Sequence, residues 1–274
     1  MKEFYDVIKE EARNYSSLKY AFKAYEDNFG PNPKWEDLTD ERLTEYASIV
    51  EKKYSYNSCE NFLRSIKTVL RKYAELVPSK SFETILYRNY TKETPNKLYL
   101  TGEELYQIYE YECEEESDKE IKRLFLIMAF TGARKTDAAA LTIQNINDKT
   151  NTLFYTTEKN GNDITIPVHP LLKELVRGKH SPKSASNYQL QRLRYIAKKA
   201  GISGYTEDGE LRCNKITFET ALKSFATYMY EQNVPVLEIM MMMDRATRQR
   251  VRHYIVTYRK RTKSKKIKDA FLRF

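Results

Sequence analysis

Tyr254 stands in RQRVRHYIVTYRK, among Arg248, Arg250, Arg252 and His253. A phenol is a weak nucleophile near neutral pH. It becomes useful when cations stabilise the negative charge that develops on its oxygen and on the group it attacks. Tyr258, four residues later on the same helical face, competes for that role. On residue type alone either tyrosine also suits packing, in a chain that holds 22 of them. Three further cations sit in neighbourhoods that are not themselves basic. Arg134 follows Gly132 in AFTGARKTDAAAL, with Asp137 one helical turn on. That arrangement suits a structural ion pair, or a guanidinium whose rigid fork grips a phosphate. Lys159 falls at the tip of TTEKNGND, and Arg245 follows the four methionines at 240–243, which are expected to fill irregular core space.

The charge of the chain is lopsided. Residues 1–95 balance 16 basic against 16 acidic side chains, whereas 245–274 hold 12 basic residues and a single acid, Asp269. A basic block of this kind has a polyanion as its expected partner, here nucleic acid, with a solvated tail as the plainer alternative. No apolar run approaches the length of a membrane span and the tail carries no strongly amphipathic segment, so no membrane association is expected. The first residues, MKEFYDVIKEEARN, have no signal-peptide core. Cys59, Cys113 and Cys213 are far apart and read as reduced thiols of a cytoplasmic protein. With no zinc spacing and three histidines, neither a metal site nor a cofactor is expected.

The elements that must position these residues follow from hydrophobic period. FYDVIKEEARNYSSLKYAFKAYEDNF, WEDLTDERLTEYASIVEKK and SYNSCENFLRSIKTVLRKYAELV repeat apolar residues at helical spacing, and the last stops at Pro78. Tyr5, Phe22, Trp35, Phe62 and Tyr73 are expected in the core of this helical bundle. Its third long helix presents Arg64, Lys67, Arg71 and Lys72, candidate contacts to a DNA backbone or ordinary solvated charge. RNYTKETPNKLYL (88–100) reads as a linker. Thr101 with Glu104 forms a capping box, and KEIKRLFLIMAFTG a buried helix after it. NTLFYTTEKNGNDITIPV then changes period from helical to alternating, and Asn160-Gly161 between its two runs signals a hairpin. Helices are expected again at 170–177, 185–200, 216–232, 235–243 and about 245–258. The predicted fold is an all-α domain over 1–94, followed by a mainly α domain with a small antiparallel β-sheet over 95–274.

TGARKTDAAALTIQNI, TEKNG followed by DITIPV, and ITFETALKSFATYMYEQNVPVLEIMMMMDRATRQRVRHYI together resemble the tyrosine recombinase, or phage integrase, family over essentially the whole chain. The resemblance implies a helical core-binding domain and a catalytic domain that hold double-stranded DNA between them. It makes Arg134 the first catalytic arginine, with Asp137 at its supporting acidic position, Lys159 the hairpin lysine and Tyr254 the nucleophile. Arg245 falls nine residues before that tyrosine, the usual interval from the last phosphate-contacting residue. The implied chemistry is attack by tyrosine on a phosphodiester to give a 3′-phosphotyrosine. Arginines hold the non-bridging oxygens, the lysine protonates the leaving 5′ oxygen, and a 5′ hydroxyl reverses the step without a cofactor. The family ties this chemistry to DNA integration and mobile genetic elements. Arg248 and Arg252 join Arg64, Lys67 and Arg71 as candidate DNA contacts.

One box departs from the pattern. Where the family has a phrase like HTARHTFAT, this chain has ETALKSFAT: Glu219 replaces histidine, Leu222 replaces the second arginine, and Lys223 keeps the basic character and is expected, as a catalytic residue, to reach the phosphate. Asp244-Arg245 replaces a common Gly-His. A leucine cannot donate to a phosphate oxygen, and a buried glutamate at 219 would repel one, an effect that Arg245 is expected to offset. Two readings follow: a recombinase with an altered pocket, or a DNA-binding relative that has lost cleavage and acts as an accessory or competitor. A third, from the aromatic-rich first domain, is a scaffold for protein partners. The resemblance also implies self-association on DNA, with the tail KRTKSKKIKDAFLRF and its apolar tip of Ala270, Phe271, Leu272 and Phe274 docking either on a neighbouring protomer or back on its own domain.

Overall fold

The computed structural model describes residues 3–13, 16–87 and 98–256, which divide into two units, one within 1–95 and one within 96–274. The first is helical throughout: α1 (Phe4–Ala12), α2 (Ser16–Phe29), α3 (Asp40–Lys53), α4 (Tyr56–Lys72) and a short α5 (Phe82–Ile85). Thr39 starts α3 by accepting a hydrogen bond from the Arg42 amide at 3.3 Å. Asp40 and Glu41 lie in its first turn and Lys52 and Lys53 in its last, each sign opposed to the local end of the helix dipole. Phe4, Tyr25 and Tyr46 are fully buried, and the Tyr46 hydroxyl donates to the Ala21 carbonyl at 2.9 Å. Of the aromatics expected in this core, Phe22 and Trp35 are buried, while Tyr5, Phe62 and Tyr73 pack at its margin.

On α4 the buried stripe is Cys59, Leu63, Ile66, Lys67 and Leu70. Lys67 therefore corrects the expectation of a surface cation. It lies one turn after Leu63 and one before Leu70, is only 9% exposed, and rests its ammonium 5.1 Å from the centre of the Tyr87 ring. Burial lowers its pKa, and the charge on Arg71 adds to that. Arg64 and Arg71 are exposed as expected, each already paired with a carboxylate, Glu60 and Glu83 respectively.

The second unit begins with α6 (Gly102–Glu110), where Thr101 and Glu104 cap reciprocally at 3.2 and 2.9 Å. Then follow α7 (Glu116–Thr131), α8 (Lys135–Ala140), β1 (Ile146–Asn147), β2 (Thr152–Thr156) and β3 (Asp163–Pro167). The chain continues with α9 (Leu172–Leu175), α10 (Ser186–Lys199), α11 (Arg212–Lys215), α12 (Phe218–Glu231), α13 (Val236–Met242) and α14 (Arg248–Arg252). Helix α7 is buried on nearly every side from Leu124 to Ala129, as its apolar sequence requires, and α10 and α12 pack against it. The sheet is antiparallel in the order β1-β2-β3, with Leu153, Tyr155, Ile164 and Ile166 facing the core. No helix among the described residues is long and apolar enough to cross a membrane.

Beyond the short unexpected helices α5 and α11, three elements differ from the sequence reading. The sheet has a third strand, β1, too short to show a period. The hairpin turn is longer than two residues: Thr157 pairs with Asn162, and Gly161 takes the left-handed position (φ +66°) of a four-residue loop. The helix expected over 245–258 shrinks to α14, and Tyr254 lies in the turn after it. The cause is a competing partner. The Thr227 hydroxyl on α12 donates to the Tyr254 carbonyl (3.2 Å) and accepts from the Val256 amide (3.0 Å), taking backbone groups that a longer helix would use. Tyr258 and the tail, including its tip at 270–274, lie outside the described residues. Of the four methionines only Met243 is fully buried, and Met241 is 64% exposed, so the run is not uniformly core.

Candidate active site

Arg134 enters the site because α7 must stop where it does. Gly132 ends the helix with φ +69°, its amide bonded to the Met128 carbonyl at 2.9 Å. A Cβ there would lie 2.7 Å from the Phe225 ring of α12 and 3.0 Å from Met243, so only glycine fits where the three segments close. Two residues on, Arg134 caps α8 and turns its guanidinium toward the residues that follow α13.

There it meets Asp244. Arg134 Nη1 donates to Asp244 Oδ2 at 2.7 Å and Nη2 to the Asp244 carbonyl at 2.6 Å, whereas Asp137 stands 3.8 Å from Nη1. Asp244 takes the hydrogen bonds of the guanidinium, while Asp137 keeps the expected ion pair with Arg134. Its Oδ1 accepts the Glu158 amide at 2.9 Å, and its buried Oδ2 accepts no hydrogen bond. Asp137 thus holds the hairpin as well as facing the arginine. Asp244 holds the other side of the same loop, accepting from Asn160 Nδ2 at 2.7 Å and from Asn162 Nδ2 at 2.8 Å. Lys159 is exposed at the tip, between residues anchored by two carboxylates.

The conformation of Asp244 follows from the end of α13. The Asp244 amide bonds to the Met241 carbonyl at 3.1 Å and the Arg245 amide to that of Met240 at 3.0 Å, the paired pattern of a Schellman cap. Such a cap puts its next residue in the left-handed region, and Asp244 has φ +49° where glycine is the usual occupant. Burial opposes its ionisation, but hydrogen bonds from Arg134, Asn162, Thr157 and Asn160 outweigh that and bring the carboxyl down to about 2.

Arg245 lays its guanidinium over the Tyr254 ring, 5.0 Å from the centre. Burial lowers its pKa first and the charge of Arg134 adds to that, while its interaction with Tyr254 and the charge of Asp244 oppose them. Arg245 Nε is buried and finds no acceptor. The structure therefore brings Arg134, Asp137, the Lys159 loop, Arg245 and Tyr254 into one neighbourhood. Tyr155, on β2, lies close by: burial raises its pKa first, and the charges of Asp137 and Asp244 raise it further.

The ETALKSFAT box is arranged otherwise than expected. Glu219 is exposed, 55% at its side chain, so the buried, repelling glutamate of the sequence reading is corrected. It lies on the solvent side of the first turn of α12, and its charge is met by Lys223, not Arg245, at 3.7 Å one turn on. Lys223 is itself buried in α12. Leu222 is a core residue. Arg248 and Arg252 are exposed on α14. Sequence reasoning missed Asp244 as the centre of the network, and with it Asn160, Asn162 and Thr227. A signal for Asp244 existed: an aspartate directly after a helix, where a left-handed cap favours glycine.

Among solved structures, several complexes share this two-domain, mainly helical fold with a small antiparallel sheet, which is the tyrosine recombinase architecture. A lambda integrase dimer bound to a COC′ core site superposes with a TM-score of 0.65 at 14% identity, covering 92% of this chain and 95% of that one. XerH recombinase in a post-cleavage complex with palindromic difH substrate gives 0.63 at 15% identity, over 89% of this chain and 75% of that one. The Tn1549 transposon integrase with circular intermediate DNA gives 0.63 at 11% identity, over 91% and 93%. No curated protein matches the sequence. The model of the phage integrase family matches residues 98–261, and the chain belongs to that family.

Proposed function

We propose that this protein binds double-stranded DNA and cleaves and rejoins it through a 3′-phosphotyrosine at Tyr254. The observation that carries the reading is the convergence of Arg134, the Lys159 loop and Arg245 on the neighbourhood of Tyr254, three cations of the kinds that phosphoryl transfer needs. Arg134 and Arg245 stabilise the non-bridging oxygens, Lys159 protonates the leaving 5′ oxygen, and Thr227 holds the Tyr254 backbone in place. Removing one preorganised donor typically costs about 3 kcal/mol, roughly 100-fold in rate, so Leu222 in the place of an arginine makes cleavage slow. The helical unit supplies DNA backbone contacts from Arg64 and Arg71, and α14 from Arg248 and Arg252.

The test is a nicked suicide duplex bearing the protein's own attachment sequence, followed by denaturing electrophoresis. A protein–DNA adduct that disappears in Tyr254→Phe and in Arg134→Ala supports the reading. A second reading is favoured by Leu222 lying in the core: a DNA-binding relative that no longer cleaves. No adduct from the wild type, with an adduct from Leu222→Arg combined with Glu219→His, would establish that reading.

Self-association on DNA is part of the proposal, supported by the lambda integrase dimer found on its core site. If deletion of residues 264–274 leaves cooperative binding unchanged, the tail has no part in it.

A further inference from the structure

Arg134 is not waiting for an anion, because it already has one. Its two terminal nitrogens are both spent on Asp244, at 2.7 Å to the carboxylate and 2.6 Å to the carbonyl. Asn160 and Asn162 converge on the two oxygens of the same carboxylate at 2.7 and 2.8 Å, and Thr157 adds a further donor. Neutral amide donors and a guanidinium closing around two oxygens make an anion cradle. Arg245 stands beside it with its buried Nε lacking an acceptor. The charge of Arg134 acts against that of Arg245, and the charge of Asp244 offsets it.

The backbone points the same way. The Schellman cap at the end of α13 favours glycine at its left-handed position, and a glycine would leave Arg134 Nη1 and the Asn160 and Asn162 amides open to an outside anion, with Nη2 still on the backbone carbonyl. An aspartate there takes on left-handed strain and fills the cradle.

We propose that Asp244 is an internal stand-in for a phosphate, occupying the anion place of Arg134 until a DNA phosphate displaces its carboxylate. This rests on the DNA-binding reading above and adds to it a residue that sets how tightly the site engages DNA. Bound to Asp244, the loops carrying Lys159 and Arg134 are held together in the free protein. Exchange of the carboxylate for a phosphate keeps the same donors satisfied.

The test compares the full-length wild type with Asp244→Asn and Asp244→Gly. Asp244→Asn keeps a residue tolerant of left-handed backbone, and Asp244→Gly removes both strain and side chain. Two probes are used: inorganic phosphate, read by thermal shift, and a duplex, read by anisotropy across a salt series. The expected result is stabilisation of both variants by phosphate at concentrations that leave the wild type unmoved. Duplex affinity should rise roughly tenfold at low salt, the size expected of one charge-assisted hydrogen bond gained, with a salt slope steeper by about one phosphate. Adding Arg134→Ala to Asp244→Asn should return both to wild-type values. Variants that gain nothing toward phosphate and bind duplex no tighter than a binding wild type overturn the inference. A phosphate gain without duplex binding by any form leaves Asp244 as the stand-in and overturns the DNA reading instead.

Discussion

Replacing Gly132 by alanine tests whether the end of α7 positions the site as described. At φ +69° a Cβ costs about 1 kcal/mol or somewhat more from left-handed backbone alone. The same atom would sit 2.7 Å from Phe225 and 3.0 Å from Met243, an overlap of the kind that costs about 1–3 kcal/mol in a packed core. The expected loss is therefore about 2–4 kcal/mol. Gly161 provides the control: its φ is +66°, and a Cβ there meets nothing within 4 Å. Gly161→Ala should lose only the backbone part, about 1 kcal/mol. Denaturant unfolding followed by far-UV circular dichroism measures both. The single tryptophan, Trp35, lies in the first unit, so its fluorescence reports the other half of the chain as an internal reference. Equal losses for the two variants would refute the close approach of α7, α12 and α13. A normal Gly132→Ala adduct on the suicide duplex would refute the link from that approach to Arg134.

Thr227→Val removes the hydroxyl that joins the Tyr254 carbonyl and the Val256 amide, and leaves the amide without its acceptor. It should cost about 1–3 kcal/mol of stability and lower the adduct rate about 100-fold if the tyrosine moves by ~1 Å, with Thr227→Ser restoring both. Unchanged rates would show that Tyr254 is held by something else. The depressed pKa of Asp244 sets an acid dependence. A carboxyl held at about 2 when folded contributes stability fully present above its ordinary value near 4, and lost as pH falls toward 2. Urea midpoints measured across that window should fall in the wild type and less in Asp244→Asn; parallel curves would refute the network. Lys67→Met should leave duplex affinity and salt slope unchanged, since Lys67 is buried and its ammonium rests against the Tyr87 ring. A slope shallower by about one would show that it reaches a phosphate after all.

Much of this protein is readable from its sequence, because local rules govern it. The capping box at Thr101, the apolar run of α7, the change to a period of two at 152–167 and the basic surplus near the C-terminus depend on neighbours in the chain. The order of the boxes carrying Arg134, Lys159 and Tyr254 is likewise a property of the string, and it identifies the family. What the string does not hold is which distant group each side chain meets. Asp137, three residues from Arg134, reads as its partner and does face it at 3.8 Å, but the hydrogen bonds of the guanidinium go to Asp244, 110 residues away, because the cap of α13 turns that aspartate inward. Lys67 reads as a surface cation until the packing of α4 turns its face inward. Glu219 reads as buried by analogy with the residue it replaces, but lies on the open side of α12 with Lys223 beside it. The reach of Tyr254 depends on a hydroxyl at Thr227, contributed by another helix. Helical and strand periods are short-range and survive in one dimension. The partners of charges depend on where tertiary packing brings separate segments together, and only the fold decides them.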